Sequence, residues 1–189
     1  MRVVGGKFRG RPLEGPKDAR VRPTSDRVRE TLFNVLAHND FGAEFSLQDA
    51  RVLDLFAGTG ARGIEALSRG ARFCLFVDDH LESRAIIRRN VEALHLTGVT
   101  KIWRRDATEL GPIEPNAGGA FGLVFLDPPY RKGLAPRALE SARAGGWLAP
   151  HALCIAETEA DESFDAPAGF TLHDARVYGD TRVAFLIAD

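Results

Sequence analysis

The sequence of 189 residues is poor in the features that mark disulfide-stapled, membrane-spanning and secreted proteins. It has only two cysteines, Cys74 and Cys154, and both lie inside apolar runs (FCLFV and LCIAE) where a small buried thiol is expected. It has no apolar run near the roughly 20 residues that a membrane span requires. The composition therefore favours neither a disulfide framework, nor a cysteine-bound zinc site, nor a membrane protein.

The amino terminus, MRVVGGKFRGRPL, is basic but lacks the continuous apolar stretch and the small-residue cleavage site of a secretory signal. We therefore expect the protein to remain in the cytoplasm, with no membrane partner. Its length, with 44% hydrophobic and 27% charged residues, is ordinary for one domain that buries its own core. We expect a single domain over residues 1–189, acting as a monomer.

Charge is distributed unevenly along the chain. Residues 1–31 carry nine Lys or Arg against four Asp or Glu, whereas the remaining residues carry 16 bases and 22 acids. A basic arm over residues 1–23 on a mildly acidic body is the pattern expected of a protein that binds a phosphate backbone at one end. A solvated basic tail would give the same pattern. We expect the arm to lie outside the body.

A helix is predicted over residues 24–38, directly after the arm. Its apolar side chains recur at helical spacing and form one stripe. Thr24 and Ser25 stand at its start, and either could cap the helix. The apolar stripe should hold this helix on the body.

From residue 51 onward, short β-rich runs alternate with helical patterns, which predicts βαβ units and a mainly parallel sheet. The runs are RVLDLF (51–56), FCLFVD (73–78), KIWRRD (101–106), LVFLD (123–127) and LCIAE (153–157). The closing TLHDARVYGDTRVAFLIA predicts two antiparallel strands on an edge of the sheet, joined by a short turn at Tyr178, Gly179 and Asp180. The expected fold is a doubly wound, Rossmann-like α/β sheet over residues 51–189.

A glycine-rich loop follows the first predicted strand. Residues 58–63 are GTGARG, a G-x-G-x-x-G pattern between a strand and a helix, and Asp78 lies 20 residues past Gly58. This spacing is typical of dinucleotide-binding sheets. It is equally compatible with an S-adenosylmethionine site on a related sheet, because Gly58 and Gly60 would let the backbone approach an amino-acid moiety closely.

Four aspartates fall in or at the ends of four successive predicted strands: Asp54, Asp78, Asp106 and Asp127. Ligands of such sheets bind at the carboxyl ends of the strands, so these carboxylates should face one crevice. A pyrophosphate would meet like charges there, whereas S-adenosylmethionine brings a sulfonium and an ammonium. The crevice therefore favours the cationic cofactor. Clustered carboxylates could also hold Mg²⁺, but no phosphoryl-transfer motif accompanies them, and we expect no metal.

The tetrapeptide DPPY (127–130) ends the fourth run. Proline cannot donate to a sheet ladder, so two consecutive prolines turn the backbone out of the strand and leave carbonyl oxygens unpaired at the crevice. The Asp127 carboxylate and the Pro128 carbonyl could then accept both hydrogens of an exocyclic amino group on a nucleobase. These two hydrogen bonds would localise the lone pair of the nitrogen for attack on a methyl group. Tyr130 could stack on the base. The alternative is a plain strand-terminating turn with an aromatic side chain over it.

The blocks MRVVGGKFRGRPL, RPTSDRVRETLFNVL, LDLFAGTGARGIEALSRGA, FLDPPY and VYGDT together resemble the bacterial 16S ribosomal RNA guanine-N2 methyltransferases of the small ribosomal subunit. The resemblance runs nearly end to end. It implies a class I methyltransferase fold, S-adenosylmethionine as the cofactor, and 16S ribosomal RNA or a small-subunit assembly particle as the partner.

The resemblance also assigns roles to individual residues. It places Asp54, Gly58 and Gly60 at the methionine part of the cofactor, Asp78 or Asp79 at the ribose hydroxyls, and Asp106 at the adenine. It places Asp127, Pro128 and Tyr130 at the target guanine. It makes Thr24 a residue that closes over the cofactor, joined by Arg22 and Arg27, and it makes Lys7, Arg9 and Arg11 phosphate contacts, with Arg22 among the RNA-binding bases.

Two other functions fit the same motifs. DPPY suits any exocyclic nitrogen, so a methyltransferase acting on N6 of adenine in DNA is one alternative, although no separate target-recognition domain is evident. The other is a non-catalytic RNA-binding assembly factor that retains the cofactor-binding fold.

Overall fold

The computed structural model of the protein describes residues 1–17, 24–42 and 45–189. Seven strands form one sheet in the order β3-β2-β1-β4-β5-β7-β6. The strands are β1 (Arg51–Leu55), β2 (Phe73–Val77), β3 (Thr100–Trp103), β4 (Phe121–Leu126), β5 (Leu148–Glu159), β6 (Phe170–Tyr178) and β7 (Thr181–Ala188). Strands β1 to β5 are parallel, whereas β7 pairs antiparallel with both β5 and β6. The predicted α/β sheet with a closing antiparallel hairpin is therefore confirmed.

Four α-helices cover the two faces of the sheet within the described residues. They are α1 (Asp26–His38), α2 (Ala61–Ser68), α3 (Leu81–Ala93) and α4 (Leu134–Ala144). The side chains of α1, α2 and α3 pack into one apolar cluster, and those of α4 pack into a second cluster on the other face. Ser25 caps α1, since its Oγ accepts a hydrogen bond of 3.2 Å from the Val28 amide. None of these helices is long and apolar enough to cross a membrane.

The first residues of the chain fold onto the body rather than extending from it. Residues 1–13, hereafter the N-terminal hairpin, double back through a bridge between Arg2 and Pro12. Val3 and Leu13 belong to the buried cluster of α1, α2 and α3. The expectation of an arm outside the body is therefore wrong for residues 1–17, because this segment carries apolar side chains that the sheet and helices can bury. Residues 18–23 lie outside the described residues.

Helix α2 provides the polar contacts that hold the N-terminal hairpin. Ser68 Oγ accepts a 2.9 Å hydrogen bond from the Phe8 amide and donates one of 2.6 Å to the Gly5 carbonyl. Glu65, fully buried, accepts from the Val4 amide at 3.0 Å and pairs with Arg69 at 2.8 Å. Helix α2 thus anchors the hairpin through satisfied buried groups, and Arg29 of α1 adds a hydrogen bond to the Arg2 carbonyl.

Candidate functional site

A cavity of about 1120 Å³ opens at the carboxyl ends of the parallel strands. This is the edge at which open α/β sheets bind ligands. Most of the residues predicted for the cofactor and the target base line it: Thr24, Gly58, Asp78, Asp106, Asp127, Pro128 and Tyr130. Pockets for one small ligand usually span about 300–1,000 Å³. The cavity is therefore large enough for a cofactor and part of a second ligand.

The glycine loop between β1 and α2 borders this cavity. Gly58 has φ +59° and Gly60 has φ +77°, both in the left-handed region that favours glycine. A Cβ atom on Gly58 would meet no heavy atom closer than 4.0 Å, so a side chain there would enter the cavity. At Gly60 a Cβ would lie 3.2 Å from Phe76 and 3.3 Å from Ile87. Gly58 thus keeps the cavity open, and Gly60 lets the loop pack on the core.

Asp78 links the end of β2 to the glycine loop. Its Oδ2 accepts a 2.9 Å hydrogen bond from the Gly58 amide, and its Oδ1 accepts one of 2.9 Å from the His80 amide. Only 8% of Asp78 is exposed, whereas the side chain of Asp79 is 58% exposed and lies 2.6 Å from the His80 ring. Asp78 is therefore fixed at the cavity wall, while Asp79 stands at its rim.

Asp106 follows β3 and is held by a short turn. Its Oδ1 accepts hydrogen bonds from the amide and the hydroxyl of Thr108, at 2.8 and 2.7 Å. These bonds lower the pKa of the Asp106 carboxyl. The carboxylate therefore stays ionised at the cavity wall near neutral pH.

Asp54 does not face the cavity as expected. It is 1% exposed, and its Oδ2 accepts a 3.1 Å hydrogen bond from the Gly63 amide in the first turn of α2. Burial raises the pKa of Asp54 to about 7, and the charges of Asp127 and Asp78 add to this effect. The prediction of four carboxylates in one crevice is wrong for Asp54, because it lies within β1 rather than past its end and its side chain supports the loop from beneath.

All four residues of the DPPY segment line the cavity. Asp127 keeps a 27% exposed side chain, Pro128 is buried, and Tyr130 is 39% exposed. The Tyr130 hydroxyl lies 3.4 Å from Oγ1 of Thr181, across the turn between β6 and β7. Partial burial raises the pKa of Tyr130, so its hydroxyl remains protonated. The closing hairpin thus holds an aromatic ring at the mouth of the cavity.

A buried ion-pair network beneath DPPY was missed in the sequence. Arg62, the second residue of α2, contacts Asp127 Oδ2 at 2.9 Å and Glu157 Oε1 at 2.7 Å through Nη2. Its guanidinium also donates to the Thr24 hydroxyl, which lies 3.2 Å from Glu157 Oε2. The only sequence signals were an arginine inside the glycine loop and a glutamate in the apolar run LCIAE.

Two further residues that line the cavity were not predicted from the sequence. Phe56 lines the cavity with φ +54°, a conformation that bulky residues rarely adopt. Tyr178 lines it from the turn before β7. The block VYGDT predicts a turn and carries part of the family resemblance, but it gives Tyr178 no role in the site, because nothing in its sequence says which end of the sheet it reaches.

The predicted RNA-binding bases lie apart from the cavity. Lys7, Arg9 and Arg11 are exposed on the N-terminal hairpin, and Arg11 donates to the Ala93 carbonyl at 3.3 Å. The hairpin tip contacts Ser68, at the end of α2 farthest from the glycine loop. Eight helical residues span about 12 Å, so this contact lies about that far along α2 from the glycine loop. Arg22 lies outside the described residues, whereas Arg27 lines the cavity.

The cavity fits S-adenosylmethionine better than a dinucleotide. Five aspartates and four Arg or Lys residues line the cavity, and the space beside Gly58 has no side chain. Three of the aspartates, Asp78, Asp106 and Asp127, stand at the positions predicted for the cofactor and the target base. Carboxylates stabilise a sulfonium and an ammonium, whereas a pyrophosphate would be repelled. The carboxylates of Asp78, Asp106 and Asp127 therefore match the charge of the cationic cofactor.

The sequence is similar to those of known proteins over nearly the whole chain. The family described as conserved hypothetical protein 95 matches residues 1–187. The ribosomal RNA small subunit methyltransferase D of Escherichia coli K12 is 38% identical over 181 residues, 95% of this chain and 85% of that protein. The enzyme of the same name from Haemophilus influenzae is 32% identical over 95% of this chain and 89% of its own length.

The fold is also similar to that of solved structures. The Escherichia coli protein yhhF superposes with a TM-score of 0.82 and 32% identity, covering 100% of this chain and 98% of that one. The match includes the amino-terminal segment as well as the sheet, because the whole chain is covered.

Proposed function

The chain belongs to the conserved hypothetical protein 95 family and to the small-subunit ribosomal RNA methyltransferases that match 95% of its length, and we propose that it methylates the exocyclic N2 of one guanine in 16S ribosomal RNA. The methyl donor is S-adenosylmethionine. The observation that carries the proposal is that DPPY and the glycine loop border one cavity that the carboxylates of Asp78 and Asp106 also line. A base amino group and a cationic methyl donor can therefore meet there.

Each part of the cofactor has a proposed contact among the cavity residues. Gly58 gives the methionine part close access to the loop backbone. Asp78 accepts from the ribose hydroxyls, and Asp106 lies at the adenine. Asp54 and Gly60 act indirectly, because one supports α2 and the other packs the loop. Thr24 closes the cavity from the segment before α1.

When bound, S-adenosylmethionine supplies a methyl group on a positively charged sulfur and needs no strong base to activate it. The protein's task is therefore alignment. Asp127 and the Pro128 carbonyl accept the two hydrogens of the amino group and direct its lone pair into the cavity. Tyr130 stacks on the base and holds its plane, a contact worth roughly 1–3 kcal/mol. One amino proton leaves afterwards, to Asp127 or to water.

RNA rather than DNA is favoured by the named relatives, and the charge on the N-terminal hairpin suits a phosphate backbone. Lys7, Arg9 and Arg11 are exposed on the hairpin, so a strand bound at the cavity could also contact the hairpin tip. A paired target guanine would have to leave its stack to reach Asp127.

The identity of the methylated nucleoside tests the proposal. The protein is incubated with methyl-labelled cofactor and, separately, with 16S ribosomal RNA, small-subunit particles and duplex DNA. We expect N2-methylguanosine in RNA or particles and no label in DNA, measured by mass spectrometry of digested nucleosides. Label in N6-methyladenine would instead support the DNA methyltransferase. Cofactor binding without label in any substrate would support the assembly factor.

A second prediction concerns the N-terminal hairpin. Replacing Lys7, Arg9 and Arg11 with alanine should weaken RNA binding and reduce the slope of log K against log salt by up to about 0.9 for each phosphate that is no longer neutralised. Filter binding at several salt concentrations measures both quantities. The control replaces Lys101 and Arg143, two exposed bases outside the hairpin, and should leave the slope unchanged. An equal slope in the hairpin variant and the wild type would contradict the assignment.

A further inference from the structure

One guanidinium joins three segments of the chain at the floor of the cavity. Arg62 comes from the first turn of α2, Asp127 from the end of β4, Glu157 from β5, and Thr24 from the segment before α1. Arg62 is 7% exposed and Glu157 is 1% exposed. A buried arginine requires compensating carboxylates, and burial without them would cost several kcal/mol.

Glu157 alone would be a sufficient partner for Arg62. Nε and Nη2 of Arg62 both contact Glu157 Oε1, at 2.8 and 2.7 Å. The additional 2.9 Å contact to Asp127 Oδ2 is therefore more than charge compensation requires. Asp127 is also the network member with a partly exposed side chain at the cavity, and it could have been solvated there.

The contact determines which oxygen of Asp127 is offered to a ligand. Arg62 occupies Oδ2 and so fixes the rotation of the carboxylate, leaving Oδ1 as the oxygen that the ion pair does not use. Thr24, which lines the same cavity, is bound by the same guanidinium. Asp127, the proposed acceptor for the base, and Thr24, in the wall over the cofactor, therefore both contact the Arg62 guanidinium.

Resting on the proposed function, we propose that Arg62 is a positioning residue that orients Asp127 towards the amino group of the target base and couples it to Thr24. Arg62 acts through these two residues and does not itself touch the reacting atoms. Its loss should therefore lower kcat, while cofactor affinity and the apparent KM for RNA change little. A displacement of about 1 Å at the reacting atoms can cost about 100-fold in rate.

The network also predicts how the variant responds to pH. Without the guanidinium, ionised Asp127 would face the carboxylates of Glu157 and Asp54, and Tyr130 would supply no compensating charge. These carboxylates would repel one another across the site. The pH profile of kcat for Arg62→Met should therefore differ from that of the wild type.

The experiment compares Arg62→Met, Arg62→Lys and the control Arg51→Met. Arg51 sits at the opposite end of β1, where its guanidinium binds the backbone carbonyls of residues 117, 119 and 120. We expect kcat to fall about 10- to 100-fold in Arg62→Met, with partial recovery in Arg62→Lys, where one ammonium replaces the fork. The cofactor Kd from calorimetry should stay within about threefold, and Arg51→Met should keep its kcat. Thermal unfolding and the pH profile of kcat are measured for each variant.

Each outcome bears on the inference. If Arg62→Met does not fold, Arg62→Lys carries the test, and a wild-type kcat in that variant would overturn the inference. A folded Arg62→Met with wild-type kcat, or with weakened cofactor binding as its only defect, would also overturn it. In both cases the wild type still methylates RNA, so the proposed function stands. A wild type that methylates no nucleic acid would overturn both.

Discussion

Asp127→Asn is expected to reduce kcat for RNA methylation by roughly 10²–10³, the effect of removing one preorganised hydrogen-bonding group from a reacting centre. Binding of RNA and of S-adenosylmethionine should be largely preserved, because Asp127 is proposed to contact only the amino group of the base. Single-turnover rates with saturating cofactor and RNA measure the effect directly.

The isosteric substitution should be as damaging as Asp127→Ala, and the structure gives the reason. Arg62 donates to Oδ2 at 2.9 Å, so an asparagine would turn its carbonyl oxygen towards Arg62 and its NH₂ towards the cavity. A donor would then face the donor hydrogens of the substrate amino group. The reversal of this hydrogen bond should therefore lower the methylation rate more than the loss of one charge does.

A matched control is Asp165→Asn, an exposed position in the loop before β6, which should keep wild-type activity. Methylation that survives in folded Asp127→Asn would contradict the catalytic assignment. If Asp127→Asn also retained cellular function fully while methylation was lost, the assembly-factor alternative would gain support instead.

The sheet could be predicted because its strands are short, strongly apolar and separated by helical patterns. LVFLD and FCLFV became β4 and β2 with boundaries shifted by only a few residues. The closing antiparallel hairpin followed from its turn at Gly179, which has φ +59°. The family assignment is also confirmed, because several separate motifs carried it along the whole chain.

The parts that could not be predicted depend on tertiary contacts between distant residues. Arg62 and Glu157 are 95 positions apart, and their pairing depends on β5 lying beside β4. Asp54 is predicted in the crevice from its position near the end of a strand. The sequence does not say which way its side chain turns, and this is why the prediction is wrong. The N-terminal hairpin was expected outside the body, since its charge was more evident than the two apolar residues, Val3 and Leu13, that it buries.

The ribose contact is the second decisive test, because two adjacent aspartates could supply it. Asp78→Ala should weaken S-adenosylmethionine binding by about 10- to 150-fold, since hydrogen bonds to a charged group contribute roughly 1.5–3 kcal/mol. The same substitution leaves the Gly58 amide without its 2.9 Å acceptor, which loosens the glycine loop as well. Asp79→Ala should change the Kd by less than about threefold, because its side chain stands at the rim beside His80.

Calorimetric titration of both variants with S-adenosylmethionine, together with thermal unfolding of the ligand-free proteins, separates cofactor binding from stability. A larger loss in Asp79→Ala would move the ribose contact to the rim. Asp78 would then stabilise the glycine loop only, and the ribose of the cofactor would lie nearer to Asp79. Equal and small losses in both variants would exclude a carboxylate at the ribose altogether. The 8% exposure of Asp78 and its bond to Gly58 favour a larger loss in Asp78→Ala, since a fixed carboxylate loses little entropy on binding.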